Sequence, residues 1–262
     1  MNNVNKTLYI PLYGKAYVSK RSLFLSDKRA EEIWEKEAFE LKGKAKSKWL
    51  AYYMGIRSAV FDDWLREKLK QLVTPTVIHI GCGLDSRILR VGTGGGMWYD
   101  VDFAEVIEER KKYFSEFDGY AMISGDVREK DWLDKIAISD SAVVIMEGVS
   151  MYLELEELLN LLENLCSRFD RISLLLDSYT PLAAKLSRFR NPIKNVGVNR
   201  VCGLASSKLL ENEELKFVKE HNMTPKHYID ELKGTEKFIF KKIYASNFSK
   251  KLYKLYEYLK CK

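Results

Sequence analysis

Cysteine is scarce in this chain of 262 residues: there are four, and no two of them form a CxxC pair. Cys82, Cys166, Cys202 and Cys261 also lack histidine-rich company, since the whole sequence holds three histidines. Neither a zinc centre nor a redox pair is expected, and reduced thiols are the simplest reading. No run approaches the roughly 18 consecutive apolar residues that a membrane span requires. Residues 1–20 carry an apolar run too short, and too polar on both flanks, for a signal peptide, so a cytoplasmic location is expected. Neither sign of charge prevails. Against 37 acidic residues stand 43 basic ones, and the resulting net charge of +6 is not by itself a nucleic-acid signature. Long polar tracts are missing too, while aromatic residues make up 12% of the chain, which excludes disorder. A chain of this length buries about 70–75% of its unfolded surface and needs no metal or disulfide to hold a core.

What is present is a change of pattern at Pro75. The first 74 residues read as helical: Tyr53, Ile56, Val60, Phe61, Trp64, Leu65, Leu69 and Leu72 recur at spacings of three and four. Beyond Pro75, short apolar runs at 77–80, 97–103, 121–124, 142–146 and 172–176 are continuous rather than alternating, as strands buried on both faces are. Helical patterns lie between them. In the clearest, Leu155, Leu158, Leu159, Leu162, Leu165 and Phe169 share a face behind an acidic first turn of Glu154, Glu156 and Glu157. Alternating strands and helices predict an α/β fold with a mostly parallel sheet. Late strands are expected at 215–218 and 252–259, with a helix near 236–244.

The main local signal is Val77-Ile78-His79-Ile80-Gly81-Cys82-Gly83-Leu84-Asp85-Ser86-Arg87. A buried strand running into Gly-x-Gly and then a helix lets the backbone approach a ligand where a side chain would clash. About twenty residues on, the second strand carries Asp100 and Asp102, and an acid at that distance accepts the hydroxyls of an adenosyl ribose. Asp102, nearer the carboxyl end, is preferred for that role, with Asp100 a supporting or solvated carboxylate. Two later strands also end in acids, Asp126 and Glu147, and in a parallel sheet all these ends open onto one crevice. So many carboxylates would repel a diphosphate but not a cationic adenosyl ligand, which favours S-adenosylmethionine over a nicotinamide dinucleotide. A tight turn with no ligand is the alternative.

Several segments, in order, resemble the leucine carboxyl methyltransferase family, and within it the small-molecule, polyketide-type O-methyltransferases. They are Leu8-Tyr9-Ile10-Pro11-Leu12-Tyr13-Gly14, Gly81 to Arg87, and Trp98-Tyr99-Asp100-Val101-Asp102-Phe103 with Arg110. Asp131-Trp132-Leu133 and Glu147-Gly148-Val149-Ser150-Met151-Tyr152-Leu153 complete the set. The resemblance implies a Rossmann-like, seven-stranded class I methyltransferase sheet with N-terminal helical additions, binding S-adenosylmethionine. It implies a helical cap over 1–74, a core over 75–262, and an insertion near 181–210 that walls the acceptor pocket. Carried over, Gly81 would face the methionyl part of the cofactor, with Cys82 and Gly83 also cofactor-binding. Asp102 would meet the ribose, Asp126 with Val127 the adenine, and Glu147 the methionine side, with Phe103 also among the cofactor-binding residues. Arg57 matches an arginine that pairs with the cofactor carboxylate, and its place inside the apolar stripe independently calls for an anion. Lys15 is a second candidate for that carboxylate.

The implied reaction is methyl transfer to a hydroxyl or carboxyl oxygen of a small molecule. Protein C-terminal carboxyl methylation, nicotinamide-dependent oxidation and non-catalytic adenosyl binding are the alternatives. No general base stands out. His79 lies in the first strand and reads as a core histidine, while His221 and His227 read as surface residues. Tyr152, Asp177 and Tyr179 lie at the correct end of the sheet to line the acceptor pocket. Arg87 would either steer an anion or anchor its helix to Asp85. Gly92-Thr93-Gly94-Gly95-Gly96 precedes a strand and reads as a turn, not a phosphate loop. Lys185, Arg188, Arg190 and Lys194, around Asn191-Pro192, read as a solvated connector.

Overall fold

A computed structural model describes residues 8–37, 39, 41, 43–190 and 201–261. Asn191, Pro192 and Lys194, and the side chains of Arg188 and Arg190, lie outside the described residues. The helical N-terminal region resolves into α1 (Tyr9–Ser19), α2 (Lys28–Glu37) and the long α3 (Lys48–Leu69). Arg66 and Lys68 sit in the last turn of α3, where cations oppose the negative end of the helix dipole. Pro75 then hands the chain to β1 (Thr76–Ile80), every residue of which is buried.

From there strands and helices alternate: α4 (Arg87–Val91), β2 (Met97–Asp102), α5 (Ala104–Arg110), β3 (Tyr120–Ser124), β4 (Ser141–Met146), α6 (Leu155–Arg168) and β5 (Arg171–Tyr179). After α7 (Pro181–Arg190) come β6 (Leu215–His221), α8 (Lys226–Glu231), α9 (Gly234–Ile243) and β7 (Tyr253–Lys260). The sheet order is β3-β2-β1-β4-β5-β7-β6, with β1 to β5 parallel and β7 inserted antiparallel between β5 and β6. This is the seven-stranded sheet expected from the sequence, and both late strands are present with small changes of boundary.

Period-two alternation sends successive residues of each strand to opposite faces. Val77, Trp98, Val143, Ile145 and Leu175 pack with Phe61, Trp64 and Leu65 of α3. Ile78, Ile80, Val101, Val144 and Leu174 pack on the other face with Leu158, Leu161, Leu162 and Leu165 of α6. A capping box between Glu154 and Glu157 fixes the start of α6. Because β1 lies at the middle of the sheet between β2 and β4, the bend that follows it opens where the helical connections on its two sides part. The glycine-rich turn before β2 has a packing role: a Cβ at Gly96 would lie 1.9 Å from the Pro75 carbonyl oxygen. Among the described residues no helix is long and apolar enough to cross a membrane.

Candidate active site

The bend after β1 is shaped by two glycines. Gly81 has φ +67° and Gly83 φ +51°, both in the left-handed region that glycine enters without strain. A Cβ on Gly81 would lie 2.2 Å from Val149 Cγ2, so the backbone passes close to the loop after β4. β2 holds the bend in place: the Gly81 N–H donates to the Val101 carbonyl at 2.8 Å, and the Gly83 N–H donates to Asp102 Oδ2 at 2.8 Å. Asp102 Oδ1 accepts from the Phe103 N–H, also at 2.8 Å. Two backbone donors thus orient the carboxylate. Burial pushes Asp102 up to about 6, against the pull of those two N–H groups and of Arg110.

Asp100, on the same face of β2, is wholly buried and has no room for a ligand. It accepts from Trp98 Nε1 at 2.9 Å and Tyr120 Oη at 2.7 Å, pairs with Arg110, and faces His79 Nδ1 at 3.1 Å. Although burial opposes its charge, Arg110 and His79 bring it down to about 2. It is a structural anion that ties β1, β2 and β3 together.

The remaining strand-end acids correct the expectation of a bare acidic rim. Glu147 is held by Arg57 Nε at 2.9 Å and by Arg87 Nη2. Against burial, these two guanidinium groups bring it down to about 2. Asp126 is bridged by Arg128, whose guanidinium lowers its pKa. Glu147 and Asp126 are therefore neutralised by partners, and repulsion of a diphosphate cannot be what distinguishes ligands here. Among the named acids, Asp102 alone is oriented by backbone rather than by a cation.

Arg57 and Arg87 belong to a buried chain of alternating charges. It begins at Asp27, which caps α2 through the Ala30 N–H at 2.9 Å and accepts from Arg90 Nη1 at 2.5 Å. Arg90 Nε reaches Asp62 at 2.7 Å, and Arg87 Nε reaches the same carboxylate at 2.6 Å. Arg87 passes the chain to Glu147, Glu147 to Arg57, and Arg57 Nη1 to Asp177 at 3.3 Å and the Tyr253 hydroxyl at 2.8 Å. Arg87 is fully buried, so the structure gives it a framework role and no access to an incoming anion. Its Asp85 contact, at 3.4 Å, is longer than those to Asp62 and Glu147. His79 accepts at Nε2 from Arg87 and donates at Nδ1 to Asp100, and burial lowers its pKa; it is a neutral core histidine, as its sequence position suggested.

A cavity of 620 Å³ opens from this bend. Its polar lining includes Gly81, Cys82 and Gly83 with Lys15, Arg57 and Glu147. Within it, Arg57 Nη2 makes no hydrogen bond among the described residues, and Lys15 meets Asp85 at 3.1 Å. Cys82 contributes a buried thiol whose pKa burial raises. Tyr152 and Tyr179 line the cavity too, with Met151, Leu186 and Tyr53. Asp177 does not line it: fully buried, it accepts from the Gly148 N–H at 2.7 Å and the Tyr253 hydroxyl at 2.5 Å, and stands behind Arg57. Asp102, Phe103, Asp126 and Val127 also lie outside the lining, beyond the β2 and β3 ends.

Sequence reasoning missed Asp27, Asp62, Arg90 and Tyr253. The available signal was two arginines, Arg87 and Arg90, one turn apart in a short helix with apolar neighbours, facing an unexplained Asp62 inside the apolar stripe of α3. It also missed the wall built by Tyr244, Phe248 and Leu252.

Comparison with known proteins agrees with this architecture. The sequence matches the leucine carboxyl methyltransferase family over residues 9–166. It is 25% identical over 243 residues to the tetracenomycin polyketide synthesis O-methyltransferase TcmP of Streptomyces glaucescens, covering 91% of this chain and 90% of that protein. In fold it is similar to magnesium protoporphyrin IX methyltransferase from Synechocystis PCC 6803, solved with bound S-adenosylhomocysteine (TM-score 0.51, 13% identity, 88% of this chain and 93% of that one). A protein from Thermobifida fusca YX is also similar, at TM-score 0.56 and 12% identity, over 95% of this chain and 94% of that one. With its sheet order, glycine bend and matched segment, the chain belongs to the leucine carboxyl methyltransferase family and is an S-adenosylmethionine-dependent methyltransferase.

Proposed function

We propose that this enzyme is cytoplasmic and transfers a methyl group to a hydroxyl or carboxyl oxygen of a small metabolite. The observation that carries the reading is one cavity that brings the glycine bend, Lys15, Arg57 and Glu147 together with an apolar, aromatic wall. S-adenosylmethionine, when bound, supplies an activated methyl on a sulfonium for in-line displacement. The residues present fit it. Gly81 and Gly83 leave backbone exposed where a Cβ would intrude, and Asp102 is pre-oriented to accept from ribose hydroxyls. Arg57 Nη2 and the Lys15 ammonium are the donors for its carboxylate, with Glu147 and Cys82 beside them. Asp126, Val127 and Phe103 take the adenine side.

α1 and α3 line the cavity through Ile10, Lys15, Tyr53 and Arg57, and α7 walls it through Ala183, Leu186 and Ser187. The contribution asked of such a site is placement, and good orientation lowers a barrier by roughly 7–11 kcal/mol. Among the described residues no side chain lining the cavity is a ready proton acceptor: His79 is engaged at both nitrogens, and burial raises the pKa values of Tyr152 and Tyr179. The acceptor oxygen that suits this site is one that arrives ionised. A thermal-shift comparison tests the reading, because a ligand that binds only the native state raises apparent stability. S-adenosylhomocysteine should raise the melting temperature while NAD and NADP leave it unchanged; stabilisation by a nicotinamide nucleotide alone overturns the reading. Transfer of labelled methyl to a panel of aromatic acids and phenols, and not to peptides ending in a free carboxylate, tests the acceptor class.

A further inference from the structure

Most tyrosine hydroxyls around the core have protein partners. Tyr52 donates to Glu236, Tyr120 to Asp100, Tyr228 to Asp63, Tyr253 to Asp177 and Tyr258 to the Ser207 carbonyl. Four that line the cavity do not: the hydroxyls of Tyr53 on α3, Tyr152 in the 3-10 turn Ser150–Tyr152, Tyr179 at the end of β5 and Tyr244 just after α9 make no hydrogen bond among the described residues. The Tyr244 ring stacks on Trp49 and Phe240, which leaves the other three. They come from separate elements and meet at one place. The Tyr253 ring lies 6.2 Å from that of Tyr53 and 5.0 Å from that of Tyr179, while its hydroxyl is fixed between Arg57 and Asp177. Around them the wall is apolar, with Leu50, Met54, Met151, Leu186 and Leu252. Tyr53 and Tyr179 are half-buried and Tyr152 is 39% exposed, so their hydroxyls are open to the cavity, and a phenol set against such a wall ordinarily finds a partner for its O–H. Phenylalanine would provide the same packing surface without that requirement.

We infer that Tyr53, Tyr152 and Tyr179 are positioning residues that hold the methyl acceptor by donating hydrogen bonds to its oxygens, and that the acceptor is a largely apolar molecule carrying oxygens besides the one methylated. The inference rests on the methyltransferase reading and deepens it. Burial raises the pKa of each of the three phenols, so at neutral pH they are donors and not bases. A donor on the reacting oxygen would stabilise its charge and lower its nucleophilicity, so the three grip neighbouring oxygens and leave that one clear. Removing such a contact affects binding before the chemical step: KM rises while kcat holds. A site built to hydrogen-bond its substrate also rejects analogues that lack the oxygen, because its own donors are then left unpaired.

The test uses protein saturated with S-adenosylhomocysteine and two probes of the same ring size, 1-hydroxy-2-naphthoate and naphthalene, titrated by calorimetry. Wild type should bind the oxygenated probe and discriminate against naphthalene. Tyr53→Phe, Tyr152→Phe and Tyr179→Phe should each weaken 1-hydroxy-2-naphthoate by roughly 2- to 10-fold, as loss of one hydrogen bond predicts. The triple variant should lose most of the discrimination, with S-adenosylhomocysteine affinity and melting temperature close to wild type. A merely structural role would weaken both probes together, so the ratio between them carries the decision. The inference is overturned if the triple variant keeps wild-type discrimination, or if loaded wild type fails to prefer the oxygenated probe. Failure of wild type to bind S-adenosylhomocysteine at all overturns the methyltransferase reading, and this inference with it.

Discussion

Asp102 carries a charge that the fold itself disfavours. Burial pushes its pKa up to about 6, and two backbone N–H groups hold the carboxylate in place without a cation. Ionised, it is the better acceptor for ribose hydroxyls, so cofactor affinity should rise as pH goes from about 5 to 7 and level off above. Asp102→Asn should lower S-adenosylhomocysteine affinity by about tenfold or more, the scale of a hydrogen bond to a charged group, and remove the pH dependence. Calorimetric titration of both proteins across that range checks this; an equal slope in the variant would assign the dependence to another group. Arg57 has two duties, since the same guanidinium that offers Nη2 to the cavity neutralises Glu147 and Asp177. Arg57→Ala should therefore destabilise the empty protein by about 3–5 kcal/mol, the effect of stranding a buried charge, as well as weaken cofactor binding. Urea denaturation of the empty variant at wild-type stability would leave Arg57 with the ligand role alone.

At the scale of elements, the bend after β1 is held from the far side by the loop after β4. Gly81→Ala forces a positive-φ position onto a β-carbon and drives it to 2.2 Å from Val149 Cγ2. The expected loss is about 1–3 kcal/mol. Adding Val149→Ala should recover the steric part but not the backbone part, which a double-mutant cycle in denaturant resolves; strict additivity would mean the two do not press on one another. The elements differ in how plainly they were written. β1, β4 and β5 are buried on both faces and show as continuous apolar runs. β6 was read four residues long because its outer half, Lys219-Glu220-His221, is polar and lies on an exposed edge. The glycine bend and Asp102 were legible because one strand, one turn and the next strand suffice to bring them together. Arg57's partners were not: Glu147, Asp177 and Tyr253 lie 90, 120 and 196 residues away. The Phe248 wall was hidden for the same reason, since only the antiparallel return of β7 beside β5 brings it to the cavity.

Across the whole molecule, the buried chain from Asp27 to Tyr253 joins the N-terminal helices, both sides of the glycine bend and the last strand into one electrostatic unit. Glu147 and Asp100 are both brought to about 2, below their ordinary 4.5 and 3.8. Folded pKa values lowered in this way contribute stability that is complete above the unfolded values and lost as pH falls through about 2. Glu147→Gln should therefore melt well below wild type at pH 7, and the gap should narrow as pH is lowered from about 4.5 toward 2. A gap that stays constant with pH would show that packing, not charge, accounts for the difference. Salt should alter it little, because buried pairs are poorly screened.

The central claim, that the glycine bend holds the adenosyl methyl donor with its methionyl part in the cavity and its ribose on Asp102 beside it, is tested most directly by a crystal structure with S-adenosylhomocysteine. The account predicts the ribose hydroxyls on Asp102, the carboxylate on Arg57 Nη2 and Lys15, and the sulfur turned toward Tyr53, Tyr152 and Tyr179. A nucleoside bound elsewhere, or bound here with Asp102 and Arg57 untouched, would contradict it.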